Sequence, residues 1–172
     1  MMFDFRNWYD KIAELLPNPC RLCEVGLANG ESALYMIKKL NELKKSFTFY
    51  LVDSMDYGQY NQMNDIWRAV AEYRNSIEIV PLSSLDASCK FNDHSLDFVF
   101  LDSSHAYEQT KAEIRLWYRK VIDLGYISGH DLVTSEGVNN AVREVMPVWN
   151  KFDTDNGHGV WYLQKTHLIE MK

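Results

Sequence analysis

The chain has 172 residues, of which 47% are hydrophobic, enough to build one domain with a substantial core. Its formal net charge is −6 and it contains no basic run, so we expect no nucleic-acid partner. Residues 1–6 lack the apolar stretch of a signal peptide, and no segment approaches the roughly 20 apolar residues that span a bilayer. We therefore expect a cytoplasmic protein with no membrane partner.

Apolar periodicity predicts helices and strands that alternate along the chain. Helical spacing predicts helices at 5–16, 33–40, 63–70, 114–122 and 138–145. Short β-rich runs predict strands at 22–25, 47–52, 77–80, 96–101 and 126–128, with Gly125 breaking the preceding helix. The turn-rich stretch 155–159 separates 151–154 from 160–164 and predicts a terminal hairpin.

This alternation indicates a parallel sheet covered by helices. We predict an α/β, Rossmann-like fold: a doubly wound, mostly parallel seven-stranded sheet with helices on both faces and a C-terminal antiparallel hairpin. We treat 1–172 as a single domain, with an N-terminal helix and connector at 1–19 and the Rossmann-like core at 20–165. Ligands of such sheets bind beyond the carboxyl ends of the strands.

A glycine-containing turn follows the first strand. Gly26 and Gly30 are spaced G-x-x-x-G, and Asn29 is a candidate N-cap of the following helix. The free amides of that helix can hold a carboxylate, such as the methionyl end of S-adenosylmethionine. Glu24 can pair, directly or through water, with the cationic end of that ligand. Asp53, at the end of the second strand, can accept two hydrogen bonds from a ribose diol.

The loop after the third strand would cover the adenine of such a ligand. It contains Ser84 and Leu85. A plain surface turn with a helix cap explains either residue equally well. An ordinary strand–turn–helix junction with a chance acid is likewise the alternative interpretation of the glycine turn.

Charged residues follow two further strands. Asp102 and His105 come after the strand at 96–101, and His130 and Asp131 come after the next strand. Because adjacent parallel strands lie roughly 5 Å apart, these side chains can converge. Carboxylates that converge favour a divalent cation such as Mg²⁺, which could hold a diol-like substrate and lower the pKa of its hydroxyl. His105 could then accept the proton.

Structural interpretations of the same residues stay open. Asp102 could cap the next helix, His105 could face solvent, and His130 could pack in its loop. Imidazole is a softer ligand than Mg²⁺ prefers, so Mn²⁺ or no metal is also open.

Two other groups of residues are interpreted as structural. Cys20 and Cys23 form a lone C-x-x-C without further zinc ligands at matching spacing, so we expect reduced thiols. Five aromatic residues are expected in core and edge packing rather than in a substrate cage. They are Trp117, Tyr118, Trp149, Trp161 and Tyr162.

Together the motifs resemble those of class I S-adenosylmethionine-dependent methyltransferases. Residues 24–32, Glu-Val-Gly-x-x-x-Gly-Glu-Ser, look like the first motif of that class. The stretches 95–107, 125–131 and 137–142 are similar to a small methyltransferase family with a DxxH-containing core. Its relatives include macrolide-sugar O-methyltransferases and, more distantly, catechol and caffeoyl-CoA O-methyltransferases.

The resemblance implies roles for individual residues. Asp102 would match the first metal ligand, His105 the general base, and His130 and Asp131 the acidic pair that completes the metal site. His130 departs from the pattern, because the relatives carry an acid there. We also include Ser32 and Asp102 among the predicted cofactor-binding residues.

The expected activity is S-adenosylmethionine-dependent, metal-assisted O-methylation of a small-molecule or sugar hydroxyl. A nicotinamide-dependent oxidoreductase is one rival, but it needs G-x-G-x-x-G, which is absent. The second rival is a catalytically silent domain that binds the cofactor and a partner. The presence of Asp102, His105 and Asp131 together argues against this rival. Many relatives carry a longer N-terminal extension or lid. We expect none here, so that short loops, a homodimer partner or another protein would shield the substrate.

Overall fold

The computed structural model describes residues 3–55, 71–166 and 171. Its helices are α1 (Arg6–Leu15), α2 (Glu31–Glu42), α3 (Ser84–Ser88), α4 (Tyr107–Lys120) and α5 (Glu136–Val145), with a 3₁₀ helix at Ala71–Ser76. Its strands are β1 (Cys20–Val25), β2 (Phe47–Val52), β3 (Ile77–Val80), β4 (Leu96–Leu101), β5 (Val121–Gly129), β6 (Asn150–Phe152) and β7 (Val160–Gln164). The helix predicted at 63–70 lies outside the described residues.

These strands form one seven-stranded sheet in the order β3-β2-β1-β4-β5-β7-β6. Strands β1 to β5 are parallel, β7 is antiparallel to β5, and β6 is antiparallel to β7. The predicted doubly wound sheet with its C-terminal hairpin is confirmed. The direction of strand addition reverses between β1 and β4, so the crevice at their carboxyl ends is where a ligand is expected.

Alternate side chains of the strands enter separate hydrophobic layers on the two faces. Phe98 and Phe100 of β4 pack with α1 and α2 on one face. Val99 and Leu101 pack with α3, α4 and α5 on the other. With helices buried against both faces, the sheet holds the strand ends in fixed relative positions.

The boundary between α4 and β5 differs from the prediction. Apolar spacing predicts Val121 and Ile122 in the helix, but α4 ends at Lys120 and β5 begins at Val121, which pairs with Leu96. Apolar spacing alone does not distinguish a last helical turn from the start of a buried strand. Gly125 lies within β5 rather than ending the helix, and a Cβ there would lie 2.8 Å from the Asp97 carbonyl oxygen.

The structural interpretations of the aromatic and cysteine residues hold. Trp117, Trp161 and Tyr118 are buried in the core. Cys20 and Cys23 are buried free thiols. Among the described residues, no helix has the length and hydropathy needed to cross a bilayer.

Candidate active site

The turn between β1 and α2 forms one wall of the crevice. Gly26 and Gly30 have φ values of 90° and 74°, a region that favours glycine. Gly30 is the N-cap of α2 and offers no side chain to its amides. The predicted N-cap, Asn29, instead lies one position earlier, where its side-chain oxygen accepts a hydrogen bond from Glu31 N at 3.3 Å. The other amides of the first turn remain for a ligand.

Asp53 joins the two loops that border this wall. Its Oδ2 accepts a hydrogen bond from Leu27 N, and its Oδ1 accepts one from Met55 N, both at 2.9 Å. A carboxylate oxygen has two lone pairs, so each oxygen can accept a further bond from a ribose hydroxyl. Asp53 therefore shapes the loops and keeps the capacity predicted for it.

Glu24 is enclosed beneath the crevice, with 1% of its surface exposed. Tyr9 of α1 donates a hydrogen bond to Oε2 at 2.9 Å, and the Ser32 hydroxyl donates one to Oε1. Burial raises the pKa of Glu24 to about 8, against the opposing effect of these two hydroxyls. An ammonium group in the crevice would therefore reach this carboxyl through the hydroxyls or a water rather than directly.

The predicted adenine-loop residues, Ser84 and Leu85, have different environments in the structure. Ser84 is buried, and its hydroxyl accepts a hydrogen bond from the Trp117 indole N–H at 3.0 Å. Leu85 is 36% exposed. Ser83, not Ser84, caps α3 by accepting a hydrogen bond from Asp86 N. Of the predicted pair, Leu85 is the residue available to cover an adenine.

His105 and Asp131 form a pair at the carboxyl ends of β4 and β5. His105 Nε2 lies 2.7 Å from Asp131 Oδ2, and the His105 side chain is 53% exposed. Asp131 Oδ1 accepts a hydrogen bond from the Thr134 hydroxyl at 2.7 Å. Although burial opposes its ionisation, contacts with His130 and Thr134 hold the pKa of Asp131 below its usual range. An ionised carboxylate thus orients an imidazole that faces solvent.

Asp102 lies next to this pair. Its side chain is 25% exposed, and burial raises its pKa against the opposing charge of His130. Asp102, His105 and Asp131 each offer a ligand atom, and these atoms lie within 4.8 Å of one another. The strand-end residues predicted from the sequence therefore do converge.

His130 lies deeper than the metal-site prediction implied. Its Nδ1 is 3.4 Å from Asp131 Oδ2 and 3.6 Å from Asp102 Oδ1, whereas its Nε2 points to Asp4. Its ligand atoms group with those of Asp4 and His158. Burial disfavours the charged ring, but the surrounding carboxylates prevail and raise the pKa of His130 to about 10.

The backbone turn that separates His130 from Asp131 is at Asp131 itself, where φ is 56°. The preceding glycine, Gly129, instead makes room for Trp161, because a Cβ at Gly129 would lie 2.5 Å from that ring.

The profile of a family described as a methyltransferase domain matches residues 23–132. The chain belongs to this methyltransferase family. Membership implies that S-adenosylmethionine is the methyl donor. None of the curated proteins compared with the chain matches it.

Solved structures share the fold of the methyltransferase over most of its length. A Corynebacterium glutamicum protein superposes with a TM-score of 0.74 at 14% identity, covering 94% of this chain and 80% of its own. The O-methyltransferase NovP gives 0.68 at 17% identity, covering 94% and 79%. An rRNA methylase from Streptococcus thermophilus gives 0.70 at 11% identity, covering 97% and 99%. At these identities the likeness establishes the fold alone.

The crevice of the methyltransferase fits the cofactor in three respects. The first turn of α2 has amides for the methionyl carboxylate, Asp53 has acceptor capacity for the ribose, and Gly26 and Gly30 place no side chain at the two ends of the turn. Sequence reasoning missed Tyr9, whose hydroxyl holds the Glu24 carboxyl beneath the crevice. Tyr9 lies within the predicted N-terminal helix, and nothing in the sequence indicated its hydrogen bond to Glu24.

Proposed function

We propose that this methyltransferase methylates a hydroxyl oxygen of a small-molecule or sugar acceptor, with His105 as general base. The observation that carries the proposal is the 2.7 Å contact between His105 Nε2 and Asp131 Oδ2, together with the exposure of the imidazole. Oriented and exposed in this way, the ring can receive a proton from a substrate.

The tautomer of His105 follows from that contact. With Nε2–H donating to the ionised Asp131, Nδ1 carries the lone pair and is the atom that accepts the hydroxyl proton. Asp131 then stabilises the imidazolium that results. A silent cofactor-binding domain does not need an oriented and exposed base, so the pair favours the enzyme.

When bound, S-adenosylmethionine supplies a sulfonium-activated methyl group, whose transfer to oxygen leaves a neutral thioether. Asp53 and the first turn of α2 would hold its two ends. His105 takes the proton that the acceptor oxygen loses, so charge balances over the reaction. The protein contributes positioning and electrostatics.

We also propose that a divalent cation assists the methyl transfer. Asp102 and Asp131 would hold it, and it would add positive charge that lowers the pKa of the acceptor hydroxyl. Two carboxylates among imidazole rings suit Mn²⁺ better than Mg²⁺, because Mg²⁺ prefers a site made of oxygen ligands alone. His105 must stay unligated at Nδ1 to act as the base.

The acceptor class rests on charge and not on fold. A net charge of −6 opposes binding to a phosphate backbone. The fold does not distinguish an RNA acceptor from a small-molecule acceptor, because an rRNA methylase and the O-methyltransferase NovP both superpose on the chain.

The test is transfer of labelled methyl groups from S-adenosylmethionine to a panel of catechols, sugars and an rRNA fragment. We expect O-methylated product from a hydroxyl acceptor and roughly a hundredfold or greater loss of kcat in His105→Gln. His94→Gln is the matched control, because His94 is exposed at the opposite end of β4. Full activity of His105→Gln, or transfer to the rRNA fragment alone, would refute the proposal.

A further inference from the structure

A second group of metal-ligand atoms lies beside the proposed catalytic pair. Asp4, before α1, His130, after β5, and His158, between β6 and β7, each offer a ligand atom within 4.8 Å of the others. Three segments far apart in sequence thus meet at one point. Methyl transfer as proposed above uses neither Asp4 nor His158.

His130 supplies the observation that distinguishes this group from a chance cluster. Only 9% of its side chain is exposed, and its buried Nε2 makes no hydrogen bond among the described residues. Yet Nε2 lies 2.7 Å from Asp4 Oδ1, which has 5% side-chain exposure. A nitrogen and an oxygen at this distance form an ion pair when the ring is protonated. Two ligands of one tetrahedral Zn²⁺ lie roughly 3.3 Å apart, so Zn²⁺ would replace the proton after the two atoms separate by about half an ångström.

The surroundings of His130 match those found around metal-ligating imidazoles. Metal-ligating imidazoles usually direct their other nitrogen at a carboxylate, and His130 Nδ1 faces Asp131 and Asp102 at 3.4 and 3.6 Å. The Phe5 ring packs against the His130 ring, with centroids 4.8 Å apart, and closes that side to water.

The other two ligands are held in place by bonds outside the cluster. Thr154 donates a hydrogen bond to Asp4 Oδ2 at 2.7 Å, which leaves Oδ1 facing His130. The backbone carbonyl of His158 accepts a bond from Val133 N at 2.8 Å, which fixes the loop that carries the imidazole. These bonds therefore hold the ligand-bearing segments together before any ion arrives.

We propose that Asp4, His130 and His158 form a binding site for a transition-metal dication of the Zn²⁺ class. Two imidazoles and one carboxylate suit Zn²⁺ or Co²⁺, whereas Mg²⁺ and Ca²⁺ prefer oxygen ligands. The ion ties the segment before α1 and the β6–β7 loop to the end of β5. It is separate from the cation proposed at Asp102 and Asp131, and it does not depend on the acceptor.

The test uses untagged full-length protein freed of metal with a chelator. Titration with Zn²⁺ is expected to show one tight equivalent that His158→Gln and Asp4→Asn each weaken at least tenfold. Titration with Co²⁺ is expected to give a visible absorption band of a nitrogen-ligated ion, lost in His158→Gln. Because His158 is 42% exposed, its replacement leaves the core intact and the variant folded.

Two controls locate the ion. His94→Gln removes an exposed histidine away from the site, and His105→Gln removes the histidine of the neighbouring group. Both are expected to keep the Zn²⁺ affinity within about twofold. No Zn²⁺ binding by the wild type would overturn the proposal and leave His130 as a protonated partner of the carboxylates. Loss of binding in His105→Gln with retention in His158→Gln would overturn it by placing the ion in the neighbouring group.

Discussion

The backbone of Gly26 lies directly against the carbonyl of Asp102. A Cβ on Gly26 would lie 2.2 Å from that oxygen, and Asp102 N donates a hydrogen bond to the Val25 carbonyl at 2.8 Å. The glycine-containing turn after β1 and the turn after β4 are therefore packed together through main-chain atoms. This contact sets the distance between the predicted methyl donor and the groups that would act on the acceptor.

Gly26→Ala is expected to disrupt both turns. The substitution brings the new Cβ against a backbone oxygen and also places alanine at a φ of 90°. We expect a loss of stability on the order of 2 kcal/mol or more, with weaker cofactor binding, because the backbone must shift to relieve the clash. Urea denaturation measures the first effect and calorimetric titration the second. Gly157→Ala is a control for backbone strain, since φ is 78° there but no atom lies within 4 Å of its Cβ. Equal losses in the two variants would show that the contact with Asp102 has no effect.

Glu24 is expected to make stability fall as pH rises. Burial raises its folded-state pKa to about 8, so the folded protein keeps a proton that the unfolded chain loses near pH 4.5. Between these values the folded state binds more protons, and each pH unit lowers the free energy of unfolding by up to about 1.4 kcal/mol.

Glu24→Gln keeps a hydrogen-bond acceptor but removes this titration. From pH 5 to 8, urea denaturation is expected to show a shallower loss of stability in Glu24→Gln than in the wild type. Glu31→Gln, at an exposed position of α2, should retain the wild-type slope. Identical slopes for wild type and Glu24→Gln would contradict the assignment.

Removal of divalent metal is expected to lower the turnover number while leaving the cofactor bound. Asp102→Ala should do the same, because it deletes one of the two carboxylates that would hold the ion. We expect at least a tenfold loss of kcat in either case, with restoration by Mn²⁺ in the wild type alone. Asp153→Ala, which removes a carboxylate that is 85% exposed, is the control. Full activity in excess EDTA, with Asp102→Ala also active, would refute metal assistance and leave the cofactor site standing.

Much of the fold could be predicted because its strands carry strong local signals. The run at 96–101 is apolar except for Asp97 and forms the central strand β4. The end of α4 was mispredicted because Val121 and Ile122 continue its apolar spacing, while only pairing across the sheet shows that they belong to β5.

Of the candidate site, only the residues at the ends of strands could be predicted to lie together. Asp102, His105 and Asp131 were placed together because parallel strands bring their carboxyl ends to one edge. Asp4 and His158 were missed because loops carry them there, and no periodicity reports where a loop packs. Whether Asp53, Ser32 and Leu85 contact a cofactor stays a prediction.

Calorimetric titration with S-adenosylhomocysteine tests the central claim most directly. Wild-type protein is expected to bind it with a dissociation constant in the micromolar range, about −8 kcal/mol. Asp53→Ala should weaken binding by on the order of 2 to 4 kcal/mol, because it removes the ribose acceptor and the bonds to Leu27 N and Met55 N. Glu78→Ala, an exposed change on β3, should leave it unchanged. Binding of NADH without binding of S-adenosylhomocysteine, or full affinity in Asp53→Ala, would contradict the account.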